Sequence, residues 1–531
     1  MNTVLKLSLV YLIFITWNKA GHAEGITTVF LNVLGALILV LHFFQRKSWG
    51  VKQLILYIPI VALTIISIVS FLNPRYRVIT VKDVTDLNFE KVLLQSNDPN
   101  KVEMMTKGMN LILDSAQTSP SNSIALYFYF KNTYIDKYGS DKSDIILNFL
   151  NKLHDRIELP FHSFLPTSAI RDAGSFGNYY LFYMSLLIGI IIFQNIRRIE
   201  QIENIILIFS FNFIALCLVG LYQKYTQLWT DDYVEILGIW NAPEPRYYFS
   251  TFTYKNHWSA YALMMIFCLI FLLNRLFFKI DFNLLKSKIL VCTIFAIIIG
   301  SSTIFFSGSR SGTILLVFSG FSLAFLILKK KFYNKYKLIL YSIFFLPVIA
   351  FVTFLFLDNE EWKEMRTTSK IQIQNLIQGN APLRWHFWND TIEMIEERPL
   401  WGHGYQSFSS LYPKFQSQEV RYKRSLGLKN AHQYYVPLVA HAHSDLLEFT
   451  AEWGLVGMFS IFLPFVVYLI VESYSSPSIS FQFLSFGCIV FMAYCLIDFP
   501  TRTPACLTNF CAFLAISQKY GILLRRTQIR K

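Results

Sequence analysis

The sequence predicts an all-α integral membrane protein with about twelve transmembrane helices and two long extracytoplasmic loops. Three observations predict it. Of 531 residues, 54% are hydrophobic and only 15% charged, whereas a soluble domain carries roughly 25% charged residues. The apolar residues come in continuous runs about as long as a helix needs to cross a bilayer core, roughly 20 residues. Basic residues cluster in alternate loops, as the positive-inside rule requires. Backbone in lipid must satisfy its own hydrogen bonds, which leaves helices or a closed barrel. A barrel would alternate over segments of about ten residues. Long apolar runs also exclude disorder, collagen and coiled coil.

The runs lie at about 4–17, 26–44, 54–72, 179–194, 204–222, 258–274, 289–306, 311–328, 337–357, 455–471, 480–497 and 505–524. The first is short, and Gly21–Ala23 faintly resembles a cleavage site, so a signal peptide is the alternative there. The remaining topology is the same either way. The even-numbered loops and the C-terminus hold eighteen Lys and Arg, among them Arg46, Arg197, Lys286, Lys330 and Arg525, against four acids. These segments are assigned to the cytoplasm. The net charge of +14 is then an orientation and lipid-headgroup signature, not a nucleic-acid patch.

Both termini fall in the cytoplasm. The chain divides into N-terminal spans (1–72), a first outer loop (73–178), core spans (179–357), a second outer loop (358–454) and C-terminal spans (455–531). The first loop has twelve acids and twelve bases and no readable motif, although Val102–Leu113 reads as amphipathic helix. The seven cysteines lie in or beside apolar runs without CxxC spacing. They read as buried small hydrophobes rather than disulfides or zinc ligands.

Residues with chemical potential concentrate at the outer turns. In Ser307-Gly308-Ser309-Arg310-Ser311-Gly312 a single arginine stands among small residues before a helix. Accessible backbone N–H groups, a helix N-terminus and a guanidinium fork suit phosphate; a packing turn with a snorkelling arginine is the alternative. Arg384-Trp385-His386-Phe387-Trp388 opens an amphipathic helix ended by Pro399. Arg384 at its start opposes the helix dipole, which suggests an anion-holding task. In Ala440-His441-Ala442-His443-Ser444-Asp445-Leu446-Leu447-Glu448, His443 precedes a helix N-terminus. Such a position keeps imidazole neutral and fits a general base, with Glu448 orienting it. His432, His441, His443 and Asp445 allow a metal reading, which the absence of the further histidine of binuclear hydrolases disfavours. Lys255-Asn256-His257 begins a span in an anion-friendly arrangement, and Asp498-Phe499-Pro500-Thr501-Arg502 forms a short outer turn. Arg502 pairs with Asp498 or faces the same cavity. Arginines, a lysine and a histidine on one membrane face suit a lipid carrier bearing two phosphates.

In order and placement these motifs resemble the O-antigen ligase superfamily, which includes O-antigen ligases, O-antigen polymerases and bacterial O-oligosaccharyltransferases. Phe252…Asn256-His257-Trp258-Ser259-Ala260 is similar to the F-x-N-x-N-H-F-A segment, with Tyr254 replacing a common Asn. Ser307–Gly312 is similar to the S-x-S-R-[SG]-G turn. Arg384…Trp388…Pro399…Gly402…Gly404…Phe408…Tyr412-Pro413 resembles R-x-x-x-W…P-x-x-G-x-G…F…Y-P. His443-Ser444…Glu448…Ala451-Glu452-x-Gly454 resembles A-H-N-x-x-L-[QE]-x-x-A-E-x-G, and Asp498-Phe499…Pro504-Ala505 resembles the D-F…P-A turn. Together they span 252–505, about half of the chain.

The resemblance implies a GT-C-like, metal-independent, inverting glycosyltransferase of the bacterial inner membrane, active at its periplasmic face without a cofactor. The donor would be a glycan on undecaprenyl pyrophosphate and the acceptor lipid A-core or a growing glycan. His443 would activate the acceptor hydroxyl, with Glu448 beside it. Arg310 and Arg384, joined by Lys255, Asn256 and Arg502, would hold the pyrophosphate. A ligase is the first expectation; a repeat-unit polymerase and a protein O-oligosaccharyltransferase share the motifs. A lipid-linked glycan transporter is the reading from another class. It calls for midplane charges, broken helices and internal repeats, and the charges here sit at the rim. The resemblance does not account for the long 73–178 loop.

Overall fold

The structure, a computed structural model, describes residues 1–45, 55–171, 175–227, 234–242, 247–278, 284–329, 382–427, 438–475 and 478–529, with isolated positions between 367 and 378. Eleven of the twelve apolar runs coincide with described helices, from Thr3–Trp17 to Pro504–Ile529. The ninth run, 337–357, lies outside the described residues, as does His432. The chain forms two compact units. One comprises Met1–Tyr57, Tyr180–Lys370 and Phe465–Lys531; the other comprises Ile58–Tyr179 and Ile371–Pro464.

The first unit is a helical bundle around Lys255–Phe278. The apolar part of that helix is 89% buried, against 28% for Ile26–Phe44. A helix that is apolar all round belongs at the centre. It packs on Ile479–Ile497 and Leu284–Phe306. The first helix, Thr3–Trp17, buries Leu5, Leu9, Leu12 and Ile15, and Trp17 Nε1 donates to Asn212 at 2.7 Å. That short run is thus a packed member of the bundle. Gly300 lets helices approach closely: a Cβ there would stand 2.4 Å from the Phe213 ring. Small residues serve helix contact in membranes in this way.

The second unit is where the sequence reading is most extended. The segment 73–178 folds into helices Val81–Asp86, Phe89–Gln95, Pro99–Thr118, Pro120–Tyr138 and Ile145–Ile157. The expected amphipathic stretch lies within Pro99–Thr118, which buries Met105, Gly108, Met109 and Ile112 at helical spacing. Asp98 caps it by accepting from Asn100 N and Lys101 N, and Pro99 occupies the first helical position, where no N–H is needed. This segment shares one hydrophobic core with the second loop: Tyr127, Leu150 and Leu153 from one, Phe387, Phe408, Leu411 and Tyr412 from the other. Polar ties cross between them. Arg75, paired with Glu158 in its own segment, reaches across to Glu397, which Lys414 holds at 2.6 Å from within the second segment. Asn132 Nδ2 donates to Pro413 O at 2.8 Å, and Ala169 N to Ser407 Oγ at 2.9 Å. The two segments read as separate loops are therefore one folded body.

Candidate functional site

In the bundle, three turns meet around the start of the Lys255–Phe278 helix. Asn256 is the tie. Its Nδ2 donates to Asp498 Oδ2 at 2.6 Å and to Tyr254 OH at 3.0 Å. Its Oδ1 accepts from Ser309 Oγ at 2.8 Å. Ser309 Oγ lies 3.1 Å from Tyr494 OH and receives Gly312 N at 3.2 Å. Asp498 also accepts from Phe499 N at 3.0 Å, and the Phe499 ring stacks on Tyr254 at 5.6 Å. His257 Nδ1 meets Thr503 Oγ1 at 2.6 Å. Asn256, Ser309 and Asp498 are buried, so this network fixes the turns from beneath.

The cations of the bundle stand on that base. Arg310 is exposed and begins the Arg310–Lys329 helix. Lys255 opens its own helix, and its Nζ lies 3.5 Å from where a Gly308 Cβ would be. Gly308 has φ +71°, which is costly for any other residue. Glycine thus sets the turn and leaves space beside the ammonium. Arg502 ends the turn Pro500–Arg502, half-buried. Two helix N-termini and these cations make the rim receptive to an anion.

The second unit holds Arg384, His441, His443 and Glu448. Arg384 lies in the first turn of the Leu383–Glu397 helix. Phe387 and Trp388 follow at i+3 and i+4, on the same helix face. The Phe387 ring stacks on His443 at 5.9 Å and 13°, and Trp388 Nε1 donates to the His443 carbonyl at 3.4 Å. The helix that carries Arg384 therefore also braces His443. His443 has φ +53°, a left-handed conformation that non-glycine residues rarely take and that concentrates at functional sites. Ser444 is the cap of the following helix: its Oγ accepts Leu447 N at 3.4 Å and its carbonyl Glu448 N at 3.0 Å.

Glu448 departs from the expected arrangement. Its Oε1 lies 2.9 Å from His441 Nδ1, and its Oε2 accepts Ala442 N at 2.9 Å. The carboxylate thus orients the earlier histidine and fixes the backbone leading to His443. His441 and Glu448 are seven positions apart, and the left-handed turn at His443 lies between them.

Other site-shaping residues carry no legible chemical motif. Asp390 is buried and accepts from Tyr412 OH at 2.6 Å, Ser417 N at 3.1 Å and Ser417 Oγ at 3.2 Å. Burial raises its pKa despite those bonds. Arg398 donates to the carbonyls of Gly402, Ser163 and Leu165. Gly402 and Gly454 interlock: their Cβ positions fall 2.5 Å from Glu452 O and 2.2 Å from Leu400 O. His403 is buried, with Nε2 on Met394 O at 2.8 Å, and burial depresses its pKa to about 4. Glycine spacing was the only sequence signal for this group.

Six helices among the described residues, including Ile199–Thr226, Lys288–Phe306 and Ile479–Ile497, are long and apolar enough to cross a membrane. With the rim chemistry, they define a multi-pass membrane protein. Residues 294–462 match the model of the O-antigen ligase family, a domain match that supports the resemblance to the O-antigen ligase superfamily. The matched domain supports a function of O-antigen ligase or polymerase type in general. The matched segment contains Arg310, Arg384, His441, His443 and Glu448; Lys255, Asn256 and Arg502 lie outside it. Comparison with curated proteins yields no match.

Proposed function

We propose that the protein transfers a glycan from undecaprenyl pyrophosphate to a hydroxyl of lipid A-core at the periplasmic face of the bacterial inner membrane. In this reading the acceptor oxygen attacks the anomeric carbon with inversion. The bond to pyrophosphate breaks, the hydroxyl proton passes to His443, and the pyrophosphate departs with the bonding electrons. The largest contribution is stabilisation of that departing charge, from Arg310 and Lys255 at the rim, with Arg502 and Arg384. Asn256 acts by tying the turns together. Proton transfer to a placed imidazole adds typically about 10²–10⁴-fold. Glu448 serves through the backbone it holds at Ala442 and through His441. A working GT-C-like arrangement of about twelve spans accompanies this reading.

The observation that carries it is the Lys255–Gly308–Arg310 corner, where a glycine turn beside the Lys255 ammonium leads into the helix that Arg310 begins. The test is the glycan profile of cells producing His443→Ala at normal protein level, with lipid-linked and lipopolysaccharide-linked chains separated. The proposal expects long chains on undecaprenyl pyrophosphate and bare lipid A-core. Single repeat units on the core indicate a polymerase instead. An unchanged profile removes His443 as the base and returns protein glycosylation and transport to consideration.

A further inference from the structure

The second unit contains an apolar loop whose fastening is out of proportion to its exposure. Phe164 is 90% exposed and Leu165 44%. Phe164 is the most exposed large apolar side chain among the described residues. Free loop tips with such exposure are normally slack. This one is clamped on both sides. Asn73 Nδ2 donates to the carbonyls of His162 and Pro166 at 3.0 and 3.1 Å, and its Oδ1 accepts His162 N at 2.9 Å. Arg398 Nη2 donates to the carbonyls of Ser163 and Leu165, both at 2.9 Å. Leu165 N closes the turn on His162 O at 3.1 Å.

The clamps also fix its level relative to two apolar helices. Asn73 directly follows Ile58–Leu72. That helix exposes Ile58, Val61, Ile65, Ile68 and Leu72, a continuous stripe at helical spacing. Arg398 precedes Pro399 and Leu400, whose carbonyls accept Leu455 N at 2.8 Å and Val456 N at 3.1 Å. From Leu455 the chain exposes a second stripe, Leu455, Phe459, Leu463 and Val467. Such stripes on apolar helices are surfaces for lipid. One stripe ends at Leu72 and the other begins at Leu455, so the loop is pinned to the point where both helices leave the hydrocarbon. Leu400, 59% exposed, lies at the same level.

We propose that the 162–165 loop is a membrane-contacting element that sets Phe164 and Leu165 into the headgroup–acyl boundary of the leaflet from which the two helices emerge. Its ligand is phospholipid, recognised by apolar contact and not by a specific headgroup. An aromatic ring at that depth is favourable, as aromatic belts show. The rigid clamps hold the second unit at a fixed height over the lipid surface. This inference does not rest on the proposed chemistry.

The test places a nitroxide at Phe164→Cys or Leu165→Cys in the full chain, reconstituted in nanodiscs of phosphatidylethanolamine and phosphatidylglycerol. Lys107→Cys is the water-facing reference, its side chain being 72% exposed. The native cysteines are buried except the partly buried Cys292, and the signal of the labelled unsubstituted chain is subtracted. Because Phe164 and Leu165 are exposed, their replacement leaves the core intact. The proposal expects the ratio of oxygen accessibility to water-soluble nickel-chelate accessibility to be several-fold higher at 164 and 165 than at 107. Equal ratios overturn it. So does low access to both reagents with spin coupling between labels, which assigns the loop to contact between two copies.

Discussion

The bundle rim and the two-segment body carry the two halves of the candidate chemistry and are built on opposite plans. At the rim, charged groups stand in short turns on a neutral, buried network of Asn256, Ser309, Tyr494 and Asp498. Asn256 and Tyr494 come from apolar helices, and Ser309 and Asp498 from turns beside them. In the second body, His443 depends on a helix 55 residues earlier in the chain, and that helix packs on a segment earlier still. The short motifs of the rim can be read from a sequence, although the bonds that join them span 53 to 242 positions. A body assembled from distant segments cannot.

The largest effects should separate the two plans by chemistry. Arg310→Ala and His443→Ala should each lower transfer by about 10²-fold or more at unchanged protein level, measured with membranes and lipid-linked donor. Equal loss of protein in both would make them structural. Next in size is Gly454→Ala. A Cβ there meets Leu400 O at 2.2 Å in a left-handed backbone with φ +64°, and the expected loss is about 3 kcal/mol in thermal unfolding of the purified protein. Wild-type stability would mean that the 399–404 turn yields easily.

Acid should weaken the second body. His403 titrates at about 4 in the fold because burial disfavours its charged form. Its ordinary value is about 6.5, so the unfolded state binds the proton first. The stability it secures is complete above pH 6.5 and falls as pH drops toward 4, by about 3 kcal/mol at most. Glu397 loses its contribution in a lower window. Burial raises its pKa, but Lys414 and Arg75 outweigh that and bring it to about 2. Its share is therefore complete above pH 4.5 and fades as pH falls toward 2. His403→Leu should flatten the stability–pH curve between pH 4 and 6.5 only. An unchanged slope there would contradict the assignment.

Smaller effects probe the ties. Asn256→Ala removes the amide between Asp498 and Ser309 and should cost about 1–3 kcal/mol, with reduced transfer as the turns loosen. Arg421→Ala breaks a pair with Asp136 at 2.6 Å and should cost under about 1 kcal/mol. A larger loss would show that this clasp governs the joint packing of the two segments.

Legibility in the sequence followed the same division. Composition and run length located the spans because lipid imposes one helix length and one hydrogen-bond solution. Arg310 stood out because nothing in helix packing calls for an arginine in a small-residue turn, Lys255 because it meets a helix N-terminus, and Arg502 as either a partner of Asp498 or a group facing the same cavity. His443 stood out beside a helix start, and the structure adds a left-handed backbone there. In the sequence Glu448 reads as orienting His443, whereas its carboxylate meets His441 Nδ1 and Ala442 N. The joint core of 73–178 with 383–427 left no sequence trace, because its contacts are hydrophobic and nearly 300 residues apart.

The central claim is a division of labour, with donor phosphate held at the rim and the acceptor proton taken at His443. Native mass spectrometry of purified Arg310→Ala and His443→Ala with undecaprenyl pyrophosphate tests it most directly. The account predicts that Arg310→Ala loses the bound pyrophosphate lipid, whereas His443→Ala retains it and still fails to transfer glycan. Equal retention by both, or equal loss, would contradict it.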